Sequence, residues 1–201
     1  MGKGSPYYML TGLLLSCLSL SGCVEMIVPS ANAAYHHRDL QNTASDYYIN
    51  LQARRELDSD PQLSKADISI TCFNRVILLT GQVSSAQLRD KAITLVRNVP
   101  NVIRVYNAIS IGQPISTTTE WHDSWITTKI KTQFVASNDI DPSKIKIVTE
   151  DGIVYLLGVV PRDEADAAVN IARHSAGVKR VVMIFTISPC LKLVRPLRYC
   201  S

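Results

Sequence analysis

The chain repeats itself once, and no other feature limits its possible folds so strongly. Shifted by about 77 residues, the second half overlays the first. Asp46, Ile49, Ala53 and Leu57 fall on Asp123, Ile126, Ile130 and Phe134. Ile68 and Ile70 fall on Ile145 and Ile147, and Val76, Leu78 and Gly81 fall on Ile153, Tyr155 and Gly158. After a one-residue deletion, Ala92, Ile93, Arg97, Val102, Arg104 and Val105 fall on Ala168, Val169, Arg173, Val178, Arg180 and Val181. Solenoids need at least three stacked units, so two copies predict tandem small domains.

Each copy predicts the same elements. Apolar positions four apart (Ile49, Ala53, Leu57; Ile126, Ile130, Phe134) predict a helix. An alternating strand follows, at 67–72 or 144–149. A tight turn, containing Asp151-Gly152 in the second copy, leads to a return strand at 76–80 or 153–157. Gly81 and Gly158 are expected to end those strands. A second helix (86–98 or 163–174) crosses over to a last strand (102–111 or 178–187). The expected fold class is α+β: two tandem α-β-β-α-β domains, each a three-stranded mixed sheet covered by two helices. The domains are set at 45–112 and 123–188, joined by a linker at 113–122 that follows Gly112 and carries Pro114 and three threonines. Units of about 65 residues lie near the lower limit for a self-sufficient core, so packing of one on the other would help.

The N-terminus reads as an address. Lys3 precedes an apolar run from Met9 to Leu20, too short for the roughly 20 residues that span a bilayer. It fits a signal peptide over residues 1–22. The run ends in Leu20-Ser21-Gly22-Cys23, which resembles a bacterial lipobox, with Cys23 as the lipidation site. Two or more acyl chains give stable anchoring. By resemblance to other lipoproteins, Val24 in place of an aspartate favours the outer membrane, on its periplasmic face. Residues 23–44 read as the lipidated cysteine and a tether. Adjacent His36 and His37 lie in it without an acid or cysteine cluster, so no metal site is expected.

Composition excludes several classes. The 21 Lys+Arg against 17 Asp+Glu give a net charge of +4, too balanced for a general nucleic-acid binder, and aromatics are 6%. Five cysteines are too scattered for a disulfide framework. Cys190 and Cys200 sit in a basic tail, 189–201, where a bridge or two free thiols are both open readings. The tail's Lys192, Arg195 and Arg198 bring no acid with them. No enzyme is expected: His122-Asp123 lacks a positioned nucleophile, and His174 reads as a cation at a helix end. No cofactor is expected.

Both copies resemble the BON domain, a family of bacterial modules associated with osmotic protection and membranes. The residues that carry this are Gly81-Gln82-Val83, Ala92 and Asn101-Val102-Ile103-Arg104-Val105-Tyr106-Asn107. In the second copy they are Gly158-Val159-Val160, Ala168 and Gly177-Val178-Lys179-Arg180-Val181. The whole chain resembles the family's two-module outer-membrane lipoproteins, through the lipobox, Gly112-Gln113-Pro114-Ile115, Trp125-Ile126-Thr127-Thr128-Lys129 and Val148-Thr149-Glu150-Asp151-Gly152. The tail and Cys72 depart from that pattern. The resemblance implies binding of anionic, phosphatidylglycerol-like phospholipid through the second domain. It also implies a role in outer-membrane integrity at division sites, with outer-membrane assembly or division proteins as further partners.

The residues supply a face for such binding. At about 100° per residue, Ile126, Ile130 and Phe134 form one stripe. Trp125, Thr128, Lys129, Thr132 and Val135 share the opposite side, with Lys131 on its flank. Tryptophan favours the headgroup level, and a basic residue near anionic lipid contributes about 1 kcal/mol. The first copy has Tyr48, Gln52 and Asp58 in place of Trp125, Lys129 and Val135, so the second domain is the expected lipid-binding one. Two other readings stay open: Trp125 packs on the other domain or the linker, or the face docks an envelope assembly or division protein.

Overall fold

The computed structural model describes residues 32–113 and 115–188, with side chains from residue 43 onward. The signal peptide, Cys23, Pro114 and the tail with Cys190 and Cys200 lie outside the described residues. Along the chain run α1 (Asn32–Asp58), β1 (Asp67–Phe73), β2 (Val76–Val83), α2 (Ala86–Arg97) and β3 (Arg104–Ile111). The second copy follows with α3 (Thr117–Ala136), a 3-10 turn (Pro142–Lys144), β4 (Ile145–Glu150), β5 (Ile153–Val160), α4 (Arg162–His174) and β6 (Arg180–Ile187). The strands form two sheets, ordered β1-β2-β3 and β4-β5-β6. In each, the hairpin pair is antiparallel and the crossover pair is parallel. This is the expected α+β architecture of two three-stranded mixed sheets.

The hairpins turn through two residues with positive φ. These are Asn74 (φ 50°) and Arg75 (φ 62°) in the first copy, and Asp151 (φ 45°) and Gly152 (φ 72°) in the second. Two left-handed residues in a row make the turn whose twist matches the flanking strands. One aspartate holds each turn. Asp123 accepts from the amides of Asp151 (2.7 Å) and Gly152 (2.8 Å). Asp46 accepts from those of Asn74 (2.7 Å) and Arg75 (2.8 Å) in the same way. The first helix of each copy is thereby tied to the hairpin beneath it.

Gly81 and Gly158 do not end their strands. β2 continues to Val83 and β5 to Val160. The glycines instead admit a neighbouring carbonyl: a Cβ at Gly81 would collide with the Asp67 oxygen, and one at Gly158 would lie 2.6 Å from that of Lys144. Gly81 also holds φ at +111°. These are positions of close backbone approach, where only a residue without Cβ fits.

Each sheet buries one face against its own helices. In the first copy Ile49, Ala53 and Leu57 of α1 pack with Ile77, Leu79, Ala92 and Val96. In the second, Ile126, Ile130 and Phe134 of α3 pack with Val154, Leu156, Ala165 and Ala168. Ala92 and Ala168 are fully buried, as expected of small residues where a helix approaches a sheet closely. The opposite faces of the two sheets pack on each other through Leu78, Tyr155, Leu157 and Ile184, with Phe73, Tyr106, Val148 and Val182 around them. Beside this contact, the Gln82 amide donates to Glu150 (2.8 Å) and accepts from the Ile115 amide of the linker (3.1 Å). Two marginal cores thus share a third.

Candidate functional site

Helix α3 starts at Thr117, so the expected linker 113–122 is cut short, and Trp121 and His122 are helical. Three threonines in a row have weak helix propensity and read as linker. What starts the helix is Ser116, whose hydroxyl accepts from the Thr119 amide (3.3 Å). Within the expected tether, α1 is already helical at Asn32 and takes in His36 and His37.

The expected core stripe is buried: Ile126, Ile130 and Phe134 are all 0–1% exposed. On the other side Trp125 is 50% and Val135 73% exposed, and Thr128 and Thr132 are exposed. Lys129 is half-buried, because its ammonium lies 4.9 Å from the centroid of the Trp125 ring. His122 stacks near the same ring, at 5.8 Å and 14°. The ring contacts of Trp125 are therefore with its own helix, one turn to either side. All five residues occur on one exposed ridge.

The threonines are less polar than their type suggests. Thr128 donates its hydroxyl to the Ser124 carbonyl (2.9 Å), and Thr132 donates to that of Thr128 (3.0 Å). Each hydroxyl proton is spent inside the helix. The two acids of α3 stand off the ridge. Asp123 is buried on the hairpin turn, and Glu120 projects beside Lys131 along an open cleft that ends at Thr149 and Glu150. A positive charge and two large apolar side chains thus share a strip without a carboxylate.

The ridge has a neighbour that the sequence reading left out. Trp121 lies one turn before Trp125 and is 75% exposed. Its spacing of four from Trp125 was the available sign, hidden by assigning it to the linker.

The other candidates are structural. Asp123 is committed to the hairpin and His122 to Trp125, so they form no dyad. His174 ends α4, with Nδ1 2.8 Å from the Asn170 carbonyl. Burial, together with the nearby Asp46 carboxylate, pushes the Cys72 thiol up to about 12, and the thiol donates to that carboxylate (3.4 Å). A thiol held protonated in this way is a poor nucleophile. Among the described residues, no helix is long and apolar enough to cross a membrane.

Comparison with known proteins agrees with the repeat. The BON domain model matches residues 45–113 and again 122–189. Outer membrane lipoprotein DolP of Haemophilus influenzae is 30% identical over 186 residues, covering 90% of this chain and 96% of that protein. A 21 kDa hemolysin of Actinobacillus pleuropneumoniae is 31% identical, covering 73% of this chain and 76% of its own length. Osmotically-inducible protein Y of Escherichia coli is 28% identical, covering 70% and 71%. With two matched modules and near-complete coverage of a two-module relative, the chain belongs to the BON family as a DolP-like dual BON-domain protein.

Proposed function

We propose that this protein is a non-enzymatic outer-membrane lipoprotein, tethered through acylated Cys23 on the periplasmic face, whose second BON domain binds anionic phospholipid. Trp125, Thr128, Lys129, Thr132 and Val135 form the contact, and the activity supports outer-membrane integrity at division sites. The name and the coverage of the Haemophilus relative support the envelope assignment. One observation carries the lipid reading: the ridge is exposed, apolar and cationic, with no acid on it, while its counterpart in the first copy ends in Asp58. A tether raises the local lipid concentration, so a weak intrinsic affinity suffices.

The test is co-sedimentation of residues 24–201 with phosphatidylglycerol vesicles. Trp125→Glu and Val135→Glu each place a carboxylate among anionic headgroups. Each is expected to weaken binding by about tenfold or more, equivalent to about 1.4 kcal/mol, with an unchanged unfolding midpoint. Undiminished binding by the folded variants would exclude the ridge.

A further inference from the structure

We propose that Trp121 is a second aromatic anchor and that the face from Trp121 to Val135 seats one occupant, the headgroup layer of an anionic bilayer. The proposal rests on the lipid reading above and extends it by a turn of helix that the repeat does not require. In the first copy the position of Trp121 is held by Ala44.

Three observations support it. The added turn is built, since Ser116 caps it and Trp121 is helical with the rest of α3. Trp121 and Trp125 are four residues apart, so their side chains leave the same side of the helix about 6 Å apart along its axis. Two exposed rings on one side of a helix suit a flat interface, where tryptophan settles at the headgroups. The charge also fits. Between Trp121 and Val135 the ridge carries Lys129 and no carboxylate, while on its flank exposed Lys131 and Glu120 line one cleft and offset each other. The 14 helical rises from Trp121 to Val135, at about 1.5 Å each, give a contact about 21 Å long, the geometry of a helix lying in the plane of the interface.

The chain has only two tryptophans, both on this ridge, so its indole fluorescence reports on nothing else. Trp125→Phe leaves Trp121 as the only reporter, and Trp121→Phe leaves Trp125. The full chain is reconstituted into vesicles of phosphatidylglycerol or phosphatidylcholine, with or without bromine on the acyl chains. Circular dichroism and the unfolding midpoint check that each variant is folded. In phosphatidylglycerol we expect both reporters to shift to the blue and to be quenched by the brominated lipid. In phosphatidylcholine we expect neither to respond. A shifted, quenched Trp125 beside a Trp121 that keeps its solvent-exposed emission would overturn the second anchor and leave the lipid reading standing. Silence from both would overturn both. A blue shift of Trp121 that grows with protein concentration in the absence of lipid would assign the face to a second copy of the chain and also overturn the proposal.

Discussion

Asp123 shows what a single residue does in this molecule. Its two carboxylate oxygens accept from consecutive amides of the β4–β5 turn, and it is 5% exposed. Asp123→Ala strips both acceptors and leaves the buried Gly152 amide unpaired. Such a loss costs about 1–3 kcal/mol. Urea unfolding is expected to show a loss of this size, and a smaller one for Asp123→Asn, which keeps one acceptor. An unchanged midpoint in the alanine variant would contradict the role. The overlay of Asp46 on Asp123 is plain in the sequence, but the role is not, because the amides each one holds lie 28 and 29 residues away. Gly81 and Gly158 mislead similarly: a glycine in an apolar run reads as a stop, and only the neighbouring backbone reveals the close approach that requires it.

At the level of the element, α3 is apolar on two sides. Ile126, Ile130 and Phe134 face the sheet, while Trp121, Trp125 and Val135 face outward. The inner stripe is legible from spacing alone, and so is the outer one once the stripe fixes the helix. The first turn is not, since Thr117, Thr118 and Thr119 disguise it and the Ser116 cap decides it. The backbone bonds of Thr128 and Thr132 change what these residues offer a membrane, because the protons that lipid phosphate would accept are already engaged. Thr128→Val with Thr132→Val is therefore expected to bind phosphatidylglycerol vesicles within about twofold of the parent, far from the 1.4 kcal/mol that a tenfold loss represents. A tenfold loss in vesicle titration would show that the hydroxyls themselves hold the lipid.

At the scale of the whole molecule, the two copies share a core between their sheets. Its sign was present in the sequence. Val76–Leu79 and Ile153–Leu157 are unbroken apolar runs, as expected of strands buried on both faces, whereas a sheet with one wet face alternates. Glu150 marks the edge of this contact. Burial lifts its carboxyl above the usual glutamate range; Gln82 and Thr80 oppose this by hydrogen bonding, while Asp123 and Asp67 push it higher. The group holds its proton more tightly when folded, so its ionisation costs stability. The cost is absent at acid pH and sets in as pH rises from the ordinary glutamate value through the raised one. Glu150→Gln keeps an acceptor for Gln82 without the charge. It is expected to raise the unfolding free energy near pH 7 and to change little near pH 4. Equal effects at both pH values would show that ionisation of Glu150 has no part in stability.

The proposed lipid contact on the α3 ridge is tested most directly by amide spectra of residues 24–201 titrated with phosphatidylglycerol micelles. We expect the shifts to concentrate in Thr117–Ala136, strongest around Trp125 and Val135, with the Tyr47–Asp58 segment of the first copy unmoved. Shifts centred on that earlier helix, or on the edge strand β6, with α3 unchanged, would contradict the reading.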